Sequence, residues 1–290
     1  ANAKPFITKH NALDQEMYLR VAPELYLKRL LVGGFEKVYE LNRSFRNEGI
    51  SVRHNPEFTM LEFYAAYQDY EWCMNFTEDL LKDVSESIVG RKELFWDDHK
   101  IDISVPFERL SFEEAIHKYI PSLQDSSLDS KDGIISVLKS YGLTENIDTK
   151  TMSKEVLMIH LFEGLVEEKI IQPTFIINHP VEISPLARKS VNNPSRAERF
   201  ELYIGGKEIA NGFSELNDPQ EQAKRMFSQA MQKDSGDDEA MYFDEDYIKA
   251  LEFGMPPAAG CGIGIDRLTM FITNSHSIRE VVLFPALKRK

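Results

Sequence analysis

The sequence predicts an α+β fold in which helices flank an antiparallel β-sheet. Side chains alternate in character along Val38–Glu48 and again along Glu57–Tyr67, which is typical of two neighbouring strands. Gly205-Gly206 separates two further alternating segments and is a typical two-residue hairpin turn. Because hairpins carry the pattern, rather than strand–helix–strand units, the predicted sheet is antiparallel.

The other elements follow from local signals. Pro23 suits the first turn of a helix that Gly33-Gly34 ends. Ser111 and Glu114 form a capping box for a helix over Phe112–Tyr119. The remaining predicted elements are a helix over 71–90, a hairpin over Leu94–Ser104 turning at Asp97-Asp98, an amphipathic helix over Met152–Ile170, a strand over Pro173–Ile177, helices over 218–233 and 244–253, a glycine-alternating strand ending at Gly264, and a helix over 266–273.

Composition excludes several classes of function. The net charge of −13 gives no general attraction for nucleic acid, so any such contact is local. The basic clusters are Arg188-Lys189, Arg196, Arg199 and Lys288-Arg289-Lys290, and each is equally well explained as solvated surface. Two cysteines make no disulfide scaffold, and no apolar run reaches about 18 residues. We therefore expect a cytoplasmic protein without membrane contact. A first residue other than Met favours a fragment of a longer chain.

The first charged hairpin has the groups needed to hold a nucleoside triphosphate beside a charged second substrate. Arg46, Glu48, His54 and Phe58 fall on its two strands and their connecting loop, and Arg267 follows the glycine strand near the other end of the chain. Together they favour an ATP-dependent enzyme without a P-loop. His54 alone is equally consistent with an ordinary loop histidine, and Phe58 alone with a core residue.

The second hairpin provides a candidate metal site. With Gly205-Gly206 as the turn, Glu201 and Glu208 become diagonal neighbours on one face, separated by roughly 7–8 Å. Two carboxylates so placed suit a hydrated Mg²⁺ carrying phosphate oxygens. The alternative is a solvated pair on an exposed face.

Further acidic residues predict a cationic second substrate. Glu24, Glu62 and Glu215 add more negative charge than a triphosphate site needs. A buried ammonium requires carboxylates to offset its desolvation, and the phenol of Tyr64 could add a hydrogen bond. Tyr64 could equally be an ordinary strand aromatic.

With these residues placed, the chain resembles the catalytic domain of the class II aminoacyl-tRNA synthetases, and most closely the lysyl-tRNA synthetase subfamily. Phe45-Arg46-Asn47-Glu48 with His54–Phe58 is similar to motif 2, and Gly260–Arg267 is similar to motif 3. The segment Glu208–Leu216 closely resembles the lysine-specific subfamily. The similarity covers essentially residues 1–290.

The resemblance implies an adenylate-forming ligase with no protein nucleophile. Arg46 and Arg267 would be catalytic, with Arg46 holding the α-phosphate and the amino-acid carboxylate. Phe58 and Arg267 would sandwich the adenine. The remaining ATP contacts implied by the resemblance are Glu48 at the adenine amino group and Arg53 and His54 at the distal phosphates.

The same resemblance implies the amino-acid and metal contacts. Glu201 and Glu208 would hold Mg²⁺. Glu24 would bind the α-ammonium of L-lysine, and Glu215 with Tyr64 would bind its side-chain ammonium. The other implied lysine contacts are Arg46 and Asn211 at the carboxylate, Phe213 along the aliphatic stem, and Glu62 at one of the two ammonium groups.

The implied partners are ATP, L-lysine and tRNA(Lys), and a homodimer is expected for the full-length family member. Motif 1 and the N-terminal anticodon-binding domain would precede residue 1, and residues 105–170 are expected to form a polar helical insertion. Two other functions compete. One is a stand-alone lysyltransferase that modifies a translation elongation factor, and the other is a non-catalytic sensor. Val181–Arg188 resembles the tRNA enzyme rather than the former, and a sensor would usually lose the arginines or the metal carboxylates.

Overall fold

The computed structural model describes residues 3–123, 127–145, 147–234 and 240–287. The chain forms two compact units. The first contains Ala1–Thr77, Pro185–Arg188 and Ala210–Lys290, and the second contains Glu78–Ser184 and Lys189–Ile209. The basic cluster Lys288-Arg289-Lys290 lies outside the described residues.

The described residues form eleven strands and eight α-helices. The strands are β1 (Ile7–His10), β2 (Gln15–Tyr18), β3 (Lys37–Phe45), β4 (Glu57–Ala66), β5 (Glu93–Trp96), β6 (His99–Asp102), β7 (Glu108–Ser111), β8 (Thr174–Ile177), β9 (Arg199–Ile204), β10 (Lys207–Ser214) and β11 (Ala258–Gly264). The helices are α1 (Glu24–Val32), α2 (Tyr70–Val89), α3 (Phe112–Tyr119), α4 (Lys131–Ser140), α5 (Lys154–Leu165), α6 (Pro219–Asp234), α7 (Glu245–Glu252) and α8 (Ile265–Thr273).

The first unit contains antiparallel strands in the order β3, β4, β11, β10. Helices α1 and α7 pack together through a buried apolar cluster that includes Leu27, Leu31, Tyr247 and Leu251. The first turn of α8 is joined to β4, because the backbone N–H of Thr59 donates to Asp266 Oδ2 at 2.6 Å. The short hairpin of β1 and β2 also belongs to this unit.

The second unit has its own core. Strand β8 pairs antiparallel with β9 and parallel with β7. Helices α3 and α5 contribute Ile116, Leu161 and Phe162 to a cluster that also contains Ile176 of β8. Ser111 caps α3, and the reciprocal bond from its backbone to Glu114 completes the capping box.

The predicted α+β class with an antiparallel sheet is confirmed. The turn at Gly205-Gly206 is also confirmed, because β9 ends at Ile204 and β10 begins at Lys207, with φ angles of 59° and 69° at the two glycines. These left-handed values suit glycine, which lacks the Cβ that would clash.

Several boundaries differ from the prediction. Strand β3 ends at Phe45, so Glu48 lies in the following loop and not on the strand. The helix predicted over Met152–Ile170 is shorter: α5 ends at Leu165 and a 3₁₀ turn follows at Glu167–Lys169. Pro23 is the N-cap of α1 rather than part of its first turn. Strands β1 and β2 were not predicted, because all eight of their residues are exposed and no apolar face marks them.

No helix in the described part of the chain is long and apolar enough to cross a membrane.

Candidate active site

The register of the first unit places the predicted substrate residues on one face of the sheet. Glu62 of β4 lies opposite Gly262 of β11, and Gly262 lies opposite Asn211 of β10. In the next row, Tyr64 lies opposite Gly260, and Gly260 lies opposite Phe213. Directly opposed residues project to the same face, so β4 and β10 flank a strand that contributes no side chains there. The glycine alternation of β11 therefore leaves a gap between the two rows, into which the side chains of Tyr64 and Met60 project.

Three carboxylates line this space. Glu62 and Glu215 are buried, with 4% and 1% of their surfaces exposed, and Glu24 projects from the first turn of α1. The hydroxyl of Tyr64 donates to Glu62 Oε2 at 3.0 Å. Glu215 follows β10, and its backbone N–H donates to Ala258 O at 2.8 Å. Its carboxylate oxygen Oε2 lies 2.5 Å from the ammonium of Lys28. The pocket is therefore acidic and shielded from solvent.

A lysine of the chain itself lies among these carboxylates. Lys28 is 0% exposed, and its Nζ lies 2.7 Å from Glu24 Oε1 and 2.5 Å from Glu215 Oε2. The same ammonium lies over the rings of Phe213 and Tyr64, at 5.0 and 5.9 Å from their centroids. The sequence analysis missed Lys28, although its i, i+4 spacing from Glu24 on a helix could have identified the pair.

The charges of the pocket shift the pKa values of its members in opposite directions. Burial and the neighbouring Glu24 raise the pKa of Glu62 to about 7. Burial, with Glu24 and Glu62 nearby, raises the pKa of Glu215 to about 8 although Lys28 acts against the rise. The ammonium of Lys28 overcomes burial and lowers the pKa of Glu24, and Glu215 and Glu24 together raise the pKa of Lys28. Glu24 and Lys28 are thus a charged pair, and Glu62 and Glu215 take up protons close to neutral pH.

Two further residues shape this pocket. Gly260 is required for space, because a Cβ there would lie 2.2 Å from Tyr64 Cδ1 and 2.8 Å from Glu215 Oε1. Tyr247 of α7 is fully buried, and its hydroxyl has no hydrogen-bond partner in the described structure. Lys28, Glu215 and Glu24 all act on its pKa, which burial raises. Tyr247 was not predicted as a site residue, because its spacing on α7 fits an ordinary core position.

The loop between β3 and β4 gathers positive charge in the same unit. His54 Nε2 lies 3.1 Å from an Nη of Arg267, and its Nδ1 lies 2.9 Å from Ser51 Oγ. Burial lowers the pKa of His54, and Arg267, Arg53 and Arg46 lower it further. All three guanidinium groups therefore lie close enough to His54 to affect its pKa. Such a concentration of positive charge suits a bound polyanion.

Phe58 lies at the start of β4, directly after this loop. The guanidinium carbon of Arg46 lies 5.0 Å from the centroid of the Phe58 ring. Arg46 is anchored by its backbone N–H, which donates to Pro56 O at 2.9 Å, while its Nε has no hydrogen-bond partner in the described residues. Glu48 lies in the loop that follows β3. A half-buried ring with a guanidinium on one face is suited to stacking with a planar base.

The predicted metal carboxylates, Glu201 and Glu208, belong to the second unit. Glu201 accepts hydrogen bonds from Arg199 Nη2 at 2.5 Å and from the Tyr203 hydroxyl at 2.7 Å, and it lies 3.3 Å from His179 Nε2. Its side chain is only 15% exposed, so Glu201 is not a solvated surface residue.

An acidic neighbourhood surrounds this pair of carboxylates. Burial and the charges of Glu167, Glu201 and Glu208 raise the pKa of Glu163 to about 7. These four groups are thus close enough to interact, although no set of three or more residues within the described ranges has the arrangement of a metal centre by itself. Carboxylate oxygens with partners of their own fit a Mg²⁺ that takes its remaining ligands from phosphates and water.

Two of the basic candidates for nucleic-acid contact are used inside the second unit. Arg196 forms an ion pair with Glu113, and Arg199 holds Glu201. Arg199 Nη1 also donates to Ile183 O at 2.9 Å. Explaining these two arginines as solvated surface was therefore wrong.

An antiparallel sheet with an arginine-rich loop at one end and an acidic pocket on the same face, without a P-loop, defines a class II type of synthetase domain. The chain belongs to the family of class II tRNA synthetases (D, K and N), which it matches over residues 1–288.

The chain is also similar to curated proteins over its whole length. It is 58% identical to the lysine–tRNA ligase of Variovorax paradoxus, and 56% identical to those of Bordetella bronchiseptica and Cupriavidus taiwanensis. All three comparisons cover 100% of this chain and 56–58% of the relative. The chain thus spans little more than half the length of the relatives it matches.

Proposed function

We propose that this chain activates L-lysine with ATP, forming lysyl-adenylate and pyrophosphate, and that lysine is then transferred to the 3′ end of tRNA(Lys). The observation that carries the proposal is the pocket of Glu24, Glu62 and Glu215 on the same face of the same unit as Phe58. The names of the relatives agree with it.

The pocket distinguishes lysine from the other two amino acids in the family's description, which are aspartate (D) and asparagine (N). Three buried carboxylates repel the side chain of aspartate, and the neutral amide of asparagine supplies no positive charge to balance them. An ammonium side chain restores the charge balance, and the apolar face of Phe213 suits a tetramethylene stem. The acidic pocket therefore supports lysine as the substrate.

The arginines supply the chemistry for ATP. The carboxylate of lysine attacks the α-phosphorus, the bond to the bridging oxygen of the leaving pyrophosphate breaks, and pyrophosphate departs with the electron pair. Negative charge accumulates on the phosphate oxygens as this happens, and fixed guanidinium groups at Arg46 and Arg267 would stabilise it. Arg53 and His54 would contact the distal phosphates, Glu48 the adenine amino group, and Phe58 the adenine ring.

We propose Mg²⁺ as the cofactor, with Glu201 and Glu208 of the second unit as its protein ligands. Bound Mg²⁺ would neutralise phosphate charge. Arg199, Tyr203 and His179 orient the carboxylate of Glu201 for such a role. Asn211 and Arg46 would bind the lysine carboxylate. A homodimer, a polar helical insertion over residues 105–170 and a cytoplasmic location belong to the same proposal.

Lysine-dependent exchange of labelled pyrophosphate into ATP tests the proposal when it is measured with each of the twenty amino acids and Mg²⁺. Exchange with lysine alone is expected. Exchange with aspartate or asparagine in place of lysine would refute the lysine assignment. The acceptor is then tested by offering lysyl-adenylate either tRNA(Lys) or an elongation factor, and transfer to the protein alone would favour the lysyltransferase alternative.

A further inference from the structure

Lys28 contacts the groups proposed to receive the substrate. Its ammonium lies within 2.7 Å of carboxylate oxygens on Glu24 and Glu215 and over the ring of Phe213. Its side chain is 0% exposed, and Leu27 and Leu31 on the same helix are core residues. Burial and the two ion pairs hold the ammonium in place. Lys28 is therefore a fixed part of the pocket.

From this geometry we infer that Lys28 is a built-in cation of the pocket, a positioning residue that fixes at two the number of ammonium groups the pocket takes. The inference rests on the proposed function. Glu24, Glu62 and Glu215 can contribute three negative charges, and Lys28 offsets one of them. L-lysine brings an α-ammonium and a side-chain ammonium, which offset the other two.

The position of Lys28 on α1 explains how the protein holds this cation between two carboxylates. Glu24 and Lys28 are four residues apart on α1, so the helix holds their side chains together. Lys28 also reaches Glu215 after β10, and its ammonium orients that buried carboxylate through a contact of 2.5 Å to Oε2. Other titratable groups that interact with members of this cluster include Glu62, Tyr64, Tyr247, Cys73 and Asp244.

A different role for Lys28 makes the opposite prediction. If its ammonium merely occupied the position of the substrate ammonium, removing it would free the pocket and tighten lysine binding. As a built-in cation, its removal leaves three carboxylates that repel one another, so they hold protons up to higher pH and bind lysine less well. The two roles therefore differ in the sign of the effect.

The test is the pH dependence of lysine affinity, measured by calorimetry for wild type, Lys28→Met and Lys82→Met. Lys82 is a matched control, because it forms an i, i+4 pair with Glu78 at 2.6 Å and Glu78 is not a pocket carboxylate. Lys28→Met is expected to weaken lysine about tenfold or more near pH 7, at least about 1.4 kcal/mol. It should also move the pH midpoint for lysine binding upward. Lys82→Met should change neither.

A second variant separates charge balance from folding. Lys28→Met combined with Glu24→Gln removes both members of the ion pair, which is far less damaging than removing one of them. It leaves Glu62 and Glu215, two carboxylates again, so its pH midpoint should return toward the wild-type value. If Lys28→Met alone does not fold, the double variant is compared with Glu24→Gln. The midpoint of the double variant should be the higher one, because Lys28 no longer offsets the remaining pair.

An unchanged pH midpoint in folded Lys28→Met, or tighter binding of lysine, would overturn the inference. So would a double variant whose midpoint does not exceed that of Glu24→Gln. Failure of the wild-type protein to bind lysine would instead overturn the proposed function, and the two failures are therefore distinguishable.

Discussion

Lys28 Nζ lies 2.5 Å from Glu215 Oε2, and both side chains are completely shielded from solvent. This pair does not neutralise all of the negative charge nearby, because the charges of Glu24 and Glu62 also act on Glu215. The excess charge is reduced by protons at Glu62 and Glu215 until a cationic ligand replaces them. Under the proposed function, binding of the substrate would therefore be coupled to proton release.

We predict that lysine binding releases protons near pH 7. The pKa values of about 7 for Glu62 and about 8 for Glu215 mean that both hold protons there, and an ammonium favours their ionised forms. Affinity for lysine should therefore rise between about pH 6 and pH 8. Calorimetry in buffers of different ionisation enthalpy measures the released protons directly, and the absence of any buffer dependence would contradict the prediction.

The same shifts predict that the ligand-free protein is less stable at higher pH. Both carboxyl groups have pKa values above their ordinary value of 4.5, so the folded state binds more protons than the unfolded state between about 4.5 and 8. Their stabilising contribution is complete below pH 4.5 and is lost as pH rises through the folded values. Thermal melts should show a declining Tm over that range, and saturating lysine should flatten the decline.

Replacing Arg46 with alanine is expected to lower the rate of adenylate formation by roughly 10²–10³-fold, because a charge that stabilises the reacting phosphate is lost. The measurement is lysine-dependent pyrophosphate exchange at saturating substrates. Arg43→Ala is the matched control, since Arg43 lies on β3 three residues before Arg46 and its Nε is 3.8 Å from the exposed Glu57. Comparable losses in the two variants would count against a specific role for Arg46.

Replacing Glu215 with glutamine should raise the KM for lysine far more than that for ATP, because a neutral amide no longer balances an ammonium. Loss of a buried charged partner costs about 3–5 kcal/mol, which sets the upper limit of the effect. Glu245→Gln, at an exposed i, i+4 pair with Lys249, serves as the control. Equal increases in KM for both substrates would contradict the assignment of Glu215 to the lysine pocket.

Adding one methyl group at Gly260 should impair the pocket, whereas the same change at Gly264 should not. The new Cβ at position 260 would overlap Tyr64 and approach Glu215, but at position 264 its nearest neighbour is Arg267 Cβ at 3.7 Å, an ordinary contact. We expect Gly260→Ala to destabilise the protein by about 1–3 kcal/mol and to weaken lysine binding. Denaturant unfolding with and without lysine separates the two effects.

Much of the fold is predictable because hairpins and caps leave local signals. The Gly205-Gly206 turn and the Ser111 capping box are decided by neighbouring residues. Strands β1 and β2 gave no such signal, since both faces of each strand are exposed. The end of α5 also differed from the prediction, because an apolar helix and a following 3₁₀ turn have nearly the same local pattern.

The site shows a similar division between local and distant signals. The family motifs identified Glu24, Glu62 and Glu215 from the sequence, but not the lysine that contacts two of them. Lys28 looks like an ordinary surface residue on a short helix until its burial is known. Tyr247 is separated in sequence from every other pocket residue, so only tertiary packing brings it near them.

The glycines on β11 limit the direction in which mutation can change the size of the neighbouring space. Glycine is the smallest residue, so no substitution at Gly260 or Gly262 can remove atoms, and every one of them adds some. At Gly262 the added Cβ would lie 2.8 Å from the flexible end of Met60, which can move aside, and at Gly260 it would meet the rigid ring of Tyr64. Substitutions at these two glycines can therefore only reduce the room on this face of the sheet, and changes elsewhere are needed to enlarge it.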